Sequence, residues 1–150
     1  MHGANKTGQP FVGDASGELL YRSLDRFKIT TQVRITNAVK CLPVKNLPNS
    51  TEVKNCSRFL QSELFEHMTV KNAVVLALGG VAHRAVISAL GLRQVDHPFG
   101  HGVIHQLDQP SGQLTLVDSY HCSRYNTQTG RLTEDMFLEV VRQVRDIANP

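Results

Sequence analysis

The chain has 150 residues, 41% of them hydrophobic and 19% charged, with a formal net charge of +3. That length suits a single domain over residues 1–150 with a real core, and it excludes a disordered chain; no apolar run reaches membrane-spanning length. The mild positive balance accommodates a polyanion without requiring one, and three cysteines with no dense framework favour a reducing, intracellular setting (cytoplasm or nucleoid) over a disulfide-stapled secreted one.

The first thirteen residues read as loop, broken by Gly3, Gly8, Pro10 and Gly13, with a polar start that lacks an apolar signal core. Leu19, Leu20, Leu24 and Phe27 at helical spacing predict a helix over Ser16–Phe27. The alternating, β-branched run Val33–Val39 predicts a strand, followed by a loop with Pro43, Asn46 and Pro48. A second helix starts near Asn49, a cap with Glu52 three residues on, and lines one face with Val53, Cys56, Phe59 or Leu60, and Leu64.

The continuous apolar run Ala73–Leu78, ended by Gly79-Gly80, predicts a strand buried on both faces. Val81–Leu90 predicts a helix. The stretch His97–Gln113 is irregular, with one short strand at Gly102–Leu107, and Leu114–Val117 predicts the next strand. A loop over Tyr120–Gly130 leads to a last helix capped by Thr133, with Leu132 and Phe137 as its staple. Phe137, Val140, Val141, Val144 and Ile147 form its buried stripe.

Alternating helices and strands predict an α/β domain whose short, mainly parallel sheet is covered on both faces. Sites in such sheets form at the carboxyl ends of strands, where Asn37, Gly79-Gly80 and His121 all fall. The opening loop has the character of a connection leading out of a first strand, and that strand is absent from this sequence.

His121 stands just past a strand in a loop with Ser123 and Arg124. It is either a surface histidine or a donor to an oxygen that gains negative charge. Asp14, just before the first helix, is either its cap or a carboxylate that holds and activates a water. Phe11 is a core plug or a stacking platform for a base, the plug being the commoner use. Cys41 and Cys56, fifteen positions apart, are two buried cysteines or part of a ligand set that needs about four members. His97, His101 and His105 recur every four residues, but Pro98, Gly100 and Gly102 break the helix that would bring them together on a metal.

Several segments together resemble the uracil-DNA glycosylase superfamily. They are the stretch from His2 to Asp14, Thr36-Asn37-Ala38-Val39-Lys40-Cys41, Leu76–Gly79 and Ser119-Tyr120-His121-Cys122-Ser123-Arg124. Asn126-Thr127 and Gly130-Arg131-Leu132-Thr133 make its fifth family the nearest match. The resemblance implies a three-layer α/β/α sandwich and removal of uracil, with other deaminated bases, from DNA by hydrolysis of the N-glycosidic bond in base excision repair. It implies that Phe11 stacks on the flipped base, Asp14 positions the water, Asn37 contacts base or water, and His121 stabilises charge on the base carbonyl. Ser123 and Arg124 would press into the duplex, and Lys40 and Arg131 would contact phosphates.

The resemblance also implies a 4Fe-4S cluster, for which Cys41 and Cys56 are two of four ligands; the amino-terminal pair and the first strand are absent, so the cluster is not expected to hold. Cys122 stands where the family has proline, and Gly80 and Gln9 where arginine is common. The partner implied is DNA, with no membrane and no protein partner evident. Two other readings stand beside the enzyme: a catalytically impaired nucleic-acid-binding protein of the same fold, and a metal-binding module built on Cys41, Cys56 and histidines.

Overall fold

A computed structural model of the chain describes residues 11–13, 15–40 and 50–150. Among them the elements run α1 (Ala15–Arg26), α2 (Ser50–His67), β1 (Val74–Leu78), α3 (Gly80–Ala89), β2 (Ile104–Gln109), β3 (Gly112–Ser119), α4 (Arg124–Gln128) and α5 (Glu134–Ala148). Short 3-10 turns occupy Thr30–Gln32 and Gln94–Asp96.

The sheet has the order β1-β3-β2. β1 runs parallel to β3, Val74 opposite Thr115 and Leu78 opposite Ser119. β2 returns antiparallel through the Pro110-Ser111 turn, with Gln109 opposite Gly112. β3 therefore has a ladder on both edges, and its residues Leu114–Ser119 are all buried.

Side chains alternate across a strand, so β1 feeds two cores. Val75 and Ala77 join Leu114 and Leu116 beneath α2 and α3, which contribute Leu60, Leu64, Val86 and Ile87, with Met68 from the turn after α2. Leu76 and Leu78 face α1 and α5, which contribute Leu19, Leu20, Leu24, Phe137 and Val141. Helices thus cover both faces, and the expected three-layer α/β/α sandwich is observed. α5 begins as its sequence predicts: Thr133 Oγ1 accepts the Met136 N–H at 3.2 Å. Leu132 and Phe137 close over that cap, each fully buried.

Three expectations need correction. Val33–Val39 is not a strand; it runs as irregular chain with no ladder partner among the described residues. Its alternation is real but faces helices: Val33 and Ile35 pack into the α1/α5 core, while Arg34 pairs outward with Glu63 and Glu66 of α2. Alternating burial reports one apolar neighbour, whatever its backbone, and does not by itself make a ladder. The loop after β3 is partly helical, because Ser123 caps α4 with its hydroxyl. The stretch before β3 pairs antiparallel to it, so the described sheet is mixed. The Asn49 cap lies outside the described residues.

Candidate active site

β1 and β3 end side by side. The Gly79 N–H, one residue past β1, donates to the Ser119 carbonyl at 2.8 Å, and the chain turns straight into α3. Gly79 has φ +93°, and a Cβ there would stand 3.3 Å from the Cβ of His121. Both the backbone angle and the close approach call for glycine.

A cleft of about 250 Å³ opens at these strand ends. It is lined by Leu78, Gly79, Gly80, Val81, Phe99, Tyr120, His121, Asn126 and Arg131. His121 is held from two sides. Asn126 of α4 donates its Nδ2–H to the His121 carbonyl at 2.8 Å. The Phe11 ring stacks on the imidazole at 5.7 Å and 24°. Phe11 itself has φ +61°, and its carbonyl presses so close to Gly17 of α1 that a Cβ there would come within 1.7 Å.

Tyr120 also lines the cleft. Its backbone N–H donates to His101 Nδ1 at 3.1 Å, and the His101 ring stacks on its own at 5.0 Å. Phe99 tilts against Tyr120 at 6.2 Å, and the Arg131 guanidinium lies over the Tyr120 ring at 4.6 Å. Burial pushes the His101 imidazole below its ordinary range, opposed by a hydrogen bond to the Met136 backbone. A neutral ring suits the acceptor role of Nδ1. Beside Gly80, an arginine from the next helical turn covers the gap, with Arg84 Nη1 3.0 Å from where a Cβ would stand. The result is a slot walled by aromatic rings and backbone, with an imidazole in its lining and guanidinium groups nearby. Such a slot suits a flat polar ring attached to an anionic chain.

A sequence profile described as the uracil DNA glycosylase superfamily matches residues 1–145. The chain belongs to the uracil-DNA glycosylase superfamily. It is 42% identical to the type-5 uracil-DNA glycosylase of Thermus thermophilus, across 98% of this chain and 71% of that relative. Identity is 37% to the type-5 enzyme of Pyrobaculum aerophilum, covering 95% of this chain and 65% of the relative. It is 35% to that of Mycobacterium leprae, covering 98% and 69%. The chain thus spans about two thirds of the length of these relatives.

Within this superfamily member, the structure brings some of the singled-out residues together and leaves others apart. Phe11, His121, Asn126 and Arg131 gather at the cleft or against it. Phe11 packs against the α1/α5 core, as a plug would, and stacks on the His121 ring. Ser123 caps α4, and Arg124 is exposed on it. Asn37 is exposed and not among the residues lining the cleft. Lys40 pairs with Glu63 at 2.6 Å and also contacts Thr36, so its charge is engaged within the fold. Asp14 and Cys41 lie outside the described residues. Sequence reasoning assigns Phe99 and Tyr120 no role of their own and notices His101 only through its four-residue spacing from His97 and His105; the breakers Pro98, Gly100 and Gly102 are the signal of a shaped turn there.

An iron-sulfur cluster needs about four thiolates. Of the three cysteines, Cys56 is buried on α2, whereas Cys122 sits in the α1/α5 core, donating to the Ser16 carbonyl at 3.4 Å. Cys122 is therefore committed to the opposite helical layer, and these residues alone do not fit a four-thiolate cluster. No helix of the described residues is long and apolar enough to cross a membrane.

Proposed function

We propose that this chain is a DNA glycosylase of the fifth-family type that extrudes uracil, and other deaminated bases, from DNA and hydrolyses the N-glycosidic bond. The observation that carries the reading is His121 at the mouth of the cleft between β1 and β3, in a chain similar over nearly its whole length to type-5 uracil-DNA glycosylases.

Extruding a nucleotide costs a few kcal/mol, recovered by stacking and polar contacts in the pocket. Phe99 offers a flat face to the base beside Tyr120, whose own faces are taken by His101 and Arg131, and Phe11 both holds the imidazole and stacks. As the bond between C1′ and the base nitrogen breaks, its electron pair leaves with the base. A ring N–H of His121 donates to a base carbonyl oxygen and stabilises that charge. Asp14 aims a water at C1′; the water oxygen bonds to C1′, and its proton passes through the carboxylate to solvent, while the departing base takes a proton from water. Asn37 contacts the base or the water. Ser123 and Arg124 press on the duplex, and Arg131 meets a phosphate, whereas Lys40 stays paired with Glu63. No step runs through an iron-sulfur cluster, and the purified chain carries no iron in this proposal.

A single-turnover assay on uracil-containing duplex and single-stranded DNA tests the reading. The wild type yields abasic product, and His121→Ala and Asp14→Asn each slow it by about 100-fold or more at unchanged fold. Wild-type protein that binds the DNA and releases no uracil would favour the nucleic-acid-binding alternative.

A further inference from the structure

Behind the cleft lies a buried cluster that the glycosylase reading does not use. His83 of α3, His105 of β2 and Asp118 of β3 bring one ligand atom each to within 4.8 Å of one another. The side chains are 1%, 10% and 0% exposed. His83 Nε2 lies 2.8 Å from the His97 carbonyl oxygen. A carbonyl only accepts, so Nε2 carries the hydrogen, and in the neutral ring Nδ1 presents a lone pair. That lone pair points at Asp118 Oδ1, 2.9 Å away. Two lone-pair atoms so close repel unless a cation lies between them.

A proton would bridge that one gap and no more. Asp118 Oδ2 and His105 Nε2 would stay buried without a hydrogen bond, 3.5 Å apart. A buried carboxylate oxygen left unpaired is costly. A divalent ion engages all three residues at once. Ligand bonds of about 2.0–2.1 Å in a tetrahedron set ligand atoms about 3.3 Å apart, and the three ligand atoms here all lie within 4.8 Å of one another. The His83 N–H bond to a backbone carbonyl is the outer contact that metal-bound histidines use to fix their tautomer.

We propose that His83, His105 and Asp118 form a site for a divalent transition metal of the zinc class, with water in the fourth position. The ion ties α3, β2 and β3 together. It also steadies the cleft wall, because Phe99 packs edge-on against His83 at 5.6 Å and lines the cleft.

The test uses the full chain freed of metal by a chelator and then titrated with zinc. One zinc per chain is expected, with a melting temperature that rises with zinc concentration. His105→Gln, the least buried of the three, should melt like the metal-free wild type, lose the zinc-dependent rise and bind zinc more than about tenfold more weakly. A Cys41→Ser, Cys56→Ala double variant should keep both stoichiometry and rise. Wild-type chain that takes up no zinc overturns the proposal and leaves a bridging proton in its place. Zinc binding that survives His105→Gln, or is lost with the cysteines, also overturns it.

Discussion

At the scale of single residues, the cleft is built by a few obligatory contacts. Gly79 lets β1 turn beside His121, and Asn126 reaches back to hold the backbone of His121. His101 shows how such a contact carries a pH dependence. Burial lowers its pKa in the fold, while an unfolded imidazole titrates near 6.5. Between those two values the unfolded chain binds more protons, so stability rises with pH there. Stability is therefore insensitive to His101 above about pH 6.5 and falls as the medium is acidified from that point toward the lowered value. An NMR titration of the His101 ring should give a midpoint below that of a free imidazole. A midpoint above the ordinary value would mean that the fold favours the protonated ring, which has no lone pair on Nδ1 to accept from Tyr120.

The elements divide into those whose local signals agree with their packing and one that does not. α5 has its cap and staple where the pattern puts them, and of its apolar stripe Phe137, Val140 and Val141 are buried while Val144 and Ile147 are half-buried. Thr133→Ala should cost about 1 kcal/mol through the lost cap. Phe137→Ala should cost about 3–5 kcal/mol, because the ring is fully buried between helix and sheet. Denaturant melts would settle both; equal losses would mean that the cap and the core contribute in some other proportion. Val33–Val39 shows the opposite case. Val33 to Thr36 alternate in burial, yet a strand exists only where a neighbour offers ladder hydrogen bonds. Here α2 supplies carboxylates to the polar side, and the α1/α5 core takes the apolar side.

For the molecule as a whole, a net charge of +3 is modest, so the placement of cations matters more than their number. Lys40 is neutralised by Glu63, whereas Arg131 sits at the cleft over Tyr120. Under the proposed function, Arg131→Gln should reduce the slope of log affinity against log salt by about one for duplex DNA. Lys40→Gln should change it less. Equal effects from both would show that Lys40 leaves its ion pair to meet a phosphate.

Much of this protein is legible in its residues alone. Helical and strand periods locate α1, α2, β1, α3, β3 and α5, since each buries one or both faces in a regular way. The loop after β3 stands out through its histidine, small polar side chains and arginines, and the order of several motifs points to the superfamily that the family profile and the relatives establish. What needed the tertiary fold was every relation between distant segments. No spacing announces that Phe11 stacks on His121, that Phe99 and His101 flank Tyr120, or that His83, His105 and Asp118 meet behind the cleft. The reason is physical: periodicity records which side of an element is dry, whereas the pairing of polar groups across elements depends on sheet register and loop path. Both are set by packing of the whole chain.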